Sequence, residues 1–199
     1  MSLELWNTVA TVGTFLVISA TALAAIVQLR HMRGSNQISV LTELRATLQT
    51  PEFLKAVHYV YSELPSKIQD PAFRYQLAKR VARTVENNEQ ISYVETVGDY
   101  YENVGVFAKT GLVDRRLLLD IHAAVVLDAW NALIDVTAIL RGHYGSSIYE
   151  NFEYLAVLSQ DWTNAHPSGS YPGNVRRIDV PNKWQNADEQ YAAALDSPP

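Results

Sequence analysis

Leu117–Leu140 reads LLLDIHAAVVLDAWNALIDVTAIL, an apolar run almost without interruption, and its reading decides the fold. As a membrane span it would make the chain a two-pass protein. As a protein-packed helix it would be the centre of a bundle. Asp120, Asp128 and Asp135 choose between the two, since each carboxylate would cost ~2.5–3.5 kcal/mol near a bilayer centre. With Asn131 these acids recur at i, i+8, i+11 and i+15, which draws one polar stripe along a helix. The expectation is a central bundle helix otherwise buried in protein.

A second apolar run lacks such charges. Trp6–Leu29 holds 24 residues with no charged side chain and is followed at once by Arg30, His31 and Arg33. At ~1.5 Å per residue such a helix is about 36 Å long, enough for a ~30 Å hydrocarbon core. A single N-terminal transmembrane helix is expected, flanked by Trp6 on one side and by Arg30 and Arg33 on the other. Two rivals exist. A cleaved secretory leader would carry a basic n-region; here the leader MSLEL has Glu4 and no Lys or Arg, although TALAA resembles a cleavage site. A buried core helix rarely needs so long an uncharged run, though Asn7, Thr8, Thr11, Thr14, Thr21 and Gln28 make this run mildly polar.

Arg30, Arg33 and Arg45 all follow the run, and no basic residue precedes it. The positive-inside bias therefore predicts Met1 outside and the C-terminal part in the cytoplasm. The absence of cysteine fits a reducing compartment. The expected organisation is a membrane anchor with a basic collar over 1–33 and a helical bundle over 34–165. Residues 166–199 form a Pro/Gly/Ser/Asn-rich tail in which Trp184, Asp188, Tyr191 and Leu195 share the face of a short helix. The net charge of −5 is scattered and builds no basic stripe, which argues against nucleic-acid binding.

The signals between these runs are helical throughout, so the fold class is all-α: one transmembrane helix followed by a compact multi-helix bundle. Ile38, Leu41, Leu44 and Leu48 follow a helical period. Thr50-Pro51-Glu52 and Asp70-Pro71 are helix starts. Phe73, Leu77, Val81 and Val85, then Ile91, Val94, Gly98, Tyr101, Gly105 and Ala108, keep one apolar face that Asn87-Asn88 interrupts. Gly111 reads as a C-cap and Asp114 as an N-cap, and a last long helix is expected over 147–164.

The chain contains no thiolate pattern, HExxH, phosphate loop, GxSxG elbow or EF-hand loop, so no metal and no cofactor is expected. The weak catalytic candidates are Glu102, Arg141, Glu153 and His122. Arg141 ends one helix and Glu153 begins the next, both placed favourably for the helix dipoles; Glu102 lies one position from the apolar face of Tyr101 and Gly105, where Gly105 lets another helix approach closely. The favoured reading of the cluster is an ion pair that fixes helix register, with a catalytic or ligand-binding carboxylate as the alternative.

Asp99-Tyr-Tyr-Glu-Asn-Val-Gly-Val-Phe, Gly111-Leu-Val-Asp, Trp130, Arg141 and Tyr149-Glu-Asn-Phe-Glu-Tyr-Leu-Ala occur in that order. This series, over roughly residues 5–162, resembles a bacterial family of unknown function. The family pattern favours Asn where this chain has Asp99. The resemblance implies a helical domain that often follows one membrane span, at the bacterial inner membrane, and it carries no established activity. The reading it supports is a membrane-anchored interaction or regulatory module whose partners are the bilayer and either a protein or a second copy. A stripe of mainly small residues at Ala10, Thr14, Val17, Thr21, Ala24 and Gln28 permits the latter. The alternatives are an unrecognised enzyme at the inner membrane face or a subunit of a membrane complex.

Overall fold

The computed structural model describes residues 2–79 and 83–196; for Leu5, Arg30, Arg33, Ser35, Asn36 and Asp196 it describes the backbone alone. Among these residues every regular element is a helix. The chain divides into two compact units, Met1–Pro167 and Ser168–Pro199.

The first helix, α1 (Leu3–Leu48), runs unbroken through the apolar segment and past Arg33. It ends where Thr50 caps α2 (Pro51–Ser62): Thr50 Oγ1 accepts from Phe53 N at 3.2 Å, and Pro51 supplies a preset φ at the first position. A short turn, α3 (Leu64–Lys67), leads to α4 (Pro71–Lys79), where Asp70 Oδ1 accepts from Ala72 N at 2.8 Å.

Next, α5 (Val85–Thr110) starts on Thr84, whose hydroxyl accepts from Asn87 N at 3.1 Å. The helix break therefore precedes Asn87-Asn88 instead of falling on them. Asn87 is itself buried and donates to Gln76 Oε1 at 3.0 Å. Val85 consequently stands at the exposed start of α5, 91% accessible, and leaves the apolar row. Val81 of that row, like the side chains of the Arg30 and Arg33 collar, lies outside the described residues.

Gly111, at φ +73°, ends α5, and Asp114 Oδ1 accepts from Leu117 N at 3.0 Å to start α6 (Arg115–Tyr144). The last helix of this unit is α7 (Glu150–Ala165). It begins three residues later than the sequence pattern indicates, because Tyr149 adopts a left-handed conformation that no helix contains (φ +54°).

Both Trp6–Leu29 and Arg115–Tyr144 are long and apolar enough to cross a membrane, by length and composition. Burial separates them: 39% of the apolar stretch of α6 is covered by protein and none of Trp6–Leu29 is. The polar stripe of α6 faces outward as expected. Its apolar remainder is only half covered, however. Leu118, Ala123, Val126, Ala129, Leu133, Val136 and Leu140 are in the core, whereas Leu117, Ile121, Val125 and Ile134 are exposed. The expectation of a helix buried on all its other sides is thus corrected. It is α5 that lies between α2 and α7, with Ile91, Val94, Val97 and Ala108 fully covered.

The core continues through Phe73, Leu77, Phe152 and Leu155. Complete burial of one such side chain is worth ~1.5–3 kcal/mol. The inner end of α1 rests on this core through Val40, Leu41 and Leu44, and Tyr100 Oη donates to Leu44 O at 3.4 Å. Ile38 points away from it.

In the second unit, Tyr171 Oη donates to Arg176 O (3.2 Å) and Arg177 Nη2 to Ser168 O (2.9 Å). Its helix α8 (Gln185–Asp196) starts one residue after Trp184, so Trp184 falls in the preceding turn instead of on the helix face; Trp184, Tyr191 and Leu195 are all exposed.

Candidate functional site

The residues singled out around Glu102, Arg141 and Glu153 meet at one place, the turn that joins α6 to α7. Tyr149 holds the N-cap position of α7 but supplies no side-chain cap. The orphan N–H groups of the first turn need an acceptor, and it arrives from another helix. Glu102, on α5, accepts from Asn151 N at 3.1 Å and Phe152 N at 2.8 Å through Oε2. Its Oε1 accepts from Asn151 Nδ2 at 2.7 Å. A carboxylate in this position also complements the positive end of the helix dipole.

Such an approach requires α5 and α7 to lie almost backbone to backbone. Gly98, Glu102 and Gly105 fall at i, i+4 and i+7 on one face of α5. A Cβ at Gly105 would overlap the Asn151 carbonyl oxygen, and one at Gly98 would lie 2.5 Å from the Tyr149 ring. The two glycines make the recess that Glu102 floors.

Arg141 grips the same turn from α6. Its Nε donates to Ile148 O at 2.8 Å and Nη2 to Tyr149 O at 3.3 Å, and Nη2 pairs with Glu153 Oε2 at 2.8 Å. The guanidinium lies 5.9 Å from the centre of the Trp130 ring. Below the clasp, Phe152 stacks on Tyr101 at 5.0 Å and meets Trp130 edge-on at 5.1 Å. Burial drives the Tyr101 phenol well above its ordinary pKa, so it is present as the neutral hydroxyl. The strained backbone of Tyr149, a conformation that costs ~1–3 kcal/mol, is held by Arg141 on its carbonyl and by the packing of its ring against Gly98.

His122 stands apart. It is 19 residues from Arg141 on the same helix, about 28 Å along the axis. It lines a small cleft with Leu44, Leu48, Tyr100 and Val125, where burial lowers its pKa and favours the neutral ring. The four candidates therefore do not converge on one cleft. Oε2 of Glu102 is engaged by two helix N–H groups and Oε1 by the Asn151 side-chain amide, and Arg141 is engaged by two carbonyls and Glu153, so these groups serve in capping and ion pairing. Among the described residues no group of three or more His, Asp or Glu side chains is placed to hold a metal.

Gly98, Tyr149 and Asn151 are parts of the site that reasoning from sequence did not assign to it. A left-handed tyrosine has no sequence signature, and Asn151 was visible only as a member of a motif block.

The class that emerges is an all-α bundle on a long apolar N-terminal helix, locked by a carboxylate from α5 that caps α7 in trans. The chain matches the family model described as Domain of unknown function (DUF4760) over residues 15–162 and belongs to that family. The matched region takes in most of the apolar run of α1 and all of the clasp, and it ends before the second unit. Neither a curated protein nor a solved structure matches the chain.

Proposed function

We propose that this protein is a membrane-tethered helical interaction module, with one span at Trp6–Leu29 and the bundle held at the cytoplasmic face of a bacterial inner membrane. The observation that carries the reading is the continuity of α1, a 46-residue helix that joins an uncovered apolar segment directly to the bundle core. The polar side chains of that segment favour it as well. Thr8, Thr11, Thr14 and Thr21 each donate to the carbonyl four residues back, at 2.8–2.9 Å. Their hydroxyls are thereby satisfied within the helix, as a lipid environment demands. The arginines at 30, 33 and 45 support the inward orientation of the bundle.

The interaction role rests on surface left uncovered. A groove of about 330 Å³ opens between α1, α2 and α5, walled by Val40, Leu44, Phe53 and Phe107. On α6, Leu117, Ile121 and Val125 form an exposed apolar row. Grooves and rows of this kind mark protein contacts more often than catalytic centres.

Alkaline carbonate washing of membranes from expressing cells tests the tether. The wild-type chain is expected to stay in the pellet. The double variant Leu16→Arg/Ala20→Arg is expected to move to the soluble fraction with its helical circular dichroism intact, since each arginine adds ~2.5–3.5 kcal/mol to the cost of insertion. Release of the wild type by the wash contradicts the proposal.

A further inference from the structure

In the second unit, the stretch from Ser168 to Trp184 is irregular but tied down. Val175 N donates to Pro172 O at 3.1 Å and Tyr171 Oη to Arg176 O at 3.2 Å. Arg177 Nη2 donates to Ser168 O at 2.9 Å, and its guanidinium lies 4.8 Å from the centre of the Tyr171 ring. These contacts close the first ten residues into a loop. At the far end Asn182 Oδ1 accepts from Trp184 N at 3.0 Å, in the turn that leads into α8.

This ordered stretch leaves its large apolar side chains in solvent. Val175, Ile178, Val180 and Trp184 are 50%, 79%, 83% and 72% exposed. A single exposed apolar residue is ordinary on a protein surface, but four within ten residues of a held loop form a patch that calls for a partner. Arg176, Arg177 and Lys183 stand among them against Asp179 alone, so the patch carries a net charge of +2 in a chain whose total is −5. No ion pair among the described residues engages Arg176 or Lys183.

Aliphatic and indole side chains interleaved with cations match the boundary of an anionic bilayer. An indole settles at headgroup level, aliphatic side chains reach the edge of the acyl region, and arginine and lysine meet lipid phosphates. The span at Trp6–Leu29 would hold such a surface beside the loop at high effective concentration, so a contact too weak to recruit a free protein would still be populated. Asp188, Glu189 and Asp196 follow on α8 and are repelled by the same surface, which confines the contact to the loop.

We propose that the Val175–Trp184 stretch is a second membrane contact, which docks on the anionic phospholipid headgroups of the leaflet beside the bundle. The proposal rests on the tethered reading given above and adds to it a lipid class and the residues that meet it.

The chain has no cysteine, so Ile178→Cys places one NBD fluorophore on the full chain. The labelled protein is reconstituted in nanodiscs of equal parts phosphatidylcholine and phosphatidylglycerol, or of phosphatidylcholine alone, each with doxyl-labelled lipid as a contact quencher. Quenching is expected in the anionic discs and is expected to be at least about threefold weaker in the neutral ones. Arg176→Glu/Lys183→Glu, which leaves Arg177 in place to close the loop, is expected to lose it to the same extent. Val180→Ser/Trp184→Ser is expected to lose it as well. Emission at the aqueous wavelength in every disc overturns the proposal, as does equal quenching in both lipids. Blue-shifted emission without lipid quenching overturns it by assigning the loop to a protein surface, and unchanged quenching in both variants by assigning insertion to the fluorophore. A chain that does not enter the discs refutes the tether and the proposal together, whereas one that enters them with an aqueous label refutes the proposal alone.

Discussion

Replacing Gly105 by alanine lowers the stability of the bundle by about 2–3 kcal/mol, against the direction that helix propensity dictates. Within a helix the change from glycine to alanine normally gains ~0.5–1 kcal/mol. At Gly105 the new methyl group would overlap the carbonyl oxygen of Asn151, a backbone atom in the first turn of α7 that cannot rotate aside. Overpacking costs ~1–3 kcal/mol when side chains can adjust. Here α7 must shift as a unit, and the shift also draws Asn151 N and Phe152 N away from Glu102. Gly142→Ala, on α6 with no atom near the added Cβ, is the control and is expected to be neutral or mildly stabilising. Urea midpoints of the full chain in detergent compare the two. A Gly105→Ala protein as stable as Gly142→Ala would mean that α5 and α7 are further apart than described.

The second large effect is expected at Glu102. Its truncation to alanine removes three hydrogen bonds and leaves the half-buried N–H groups of Asn151 and Phe152 without an acceptor. Loss of an ordinary N-cap costs ~0.5–2 kcal/mol, and hydrogen bonds to a charged group are worth ~1.5–3 kcal/mol. A loss of about 2–3 kcal/mol follows, with the start of α7 opening first. Glu102→Gln, which keeps the shape and one acceptor oxygen, is expected to lose roughly half as much. Hydrogen exchange at Asn151 and Phe152 measures this locally. Protection unchanged in Glu102→Ala would show that α7 is capped by some other group.

The helix starts at Thr50, Asp70 and Asp114 and the stop at Gly111 were legible because each is a local event, a side chain bonding to backbone within three residues or a glycine turning left-handed. The outward stripe of Asp120, Asp128 and Asp135 was legible for the same reason, since the helical period alone places it. Local reasoning failed where a distant element intervened. Asn87 looked like an interruption in sequence, yet Gln76 of α4 provides the partner that lets it lie buried. The apolar residues of α6 suggested burial all round, and only the arrangement of the other helices shows which of them remain exposed.

Around the candidate site the sequence indicated that Glu102, Arg141 and Glu153 form a cluster and that Gly105 admits a close neighbour. It could not indicate the roles within that cluster. A capping residue is sought beside the helix it caps, whereas Glu102 is 49 residues from Asn151.

Membership of the family covers the clasp and most of the apolar run together. The central claim, that an intact N-terminal span holds the bundle on the cytoplasmic side, is open to a direct measurement because the chain has no cysteine. Single cysteines at Ser2 and Thr110, both exposed positions, can be probed on intact cells with a membrane-impermeant maleimide. The account predicts labelling of Ser2→Cys in intact cells and of Thr110→Cys only after permeabilisation. Labelling of Thr110→Cys in intact cells, or a mature chain from which the cysteine at position 2 has been removed by cleavage, would contradict it.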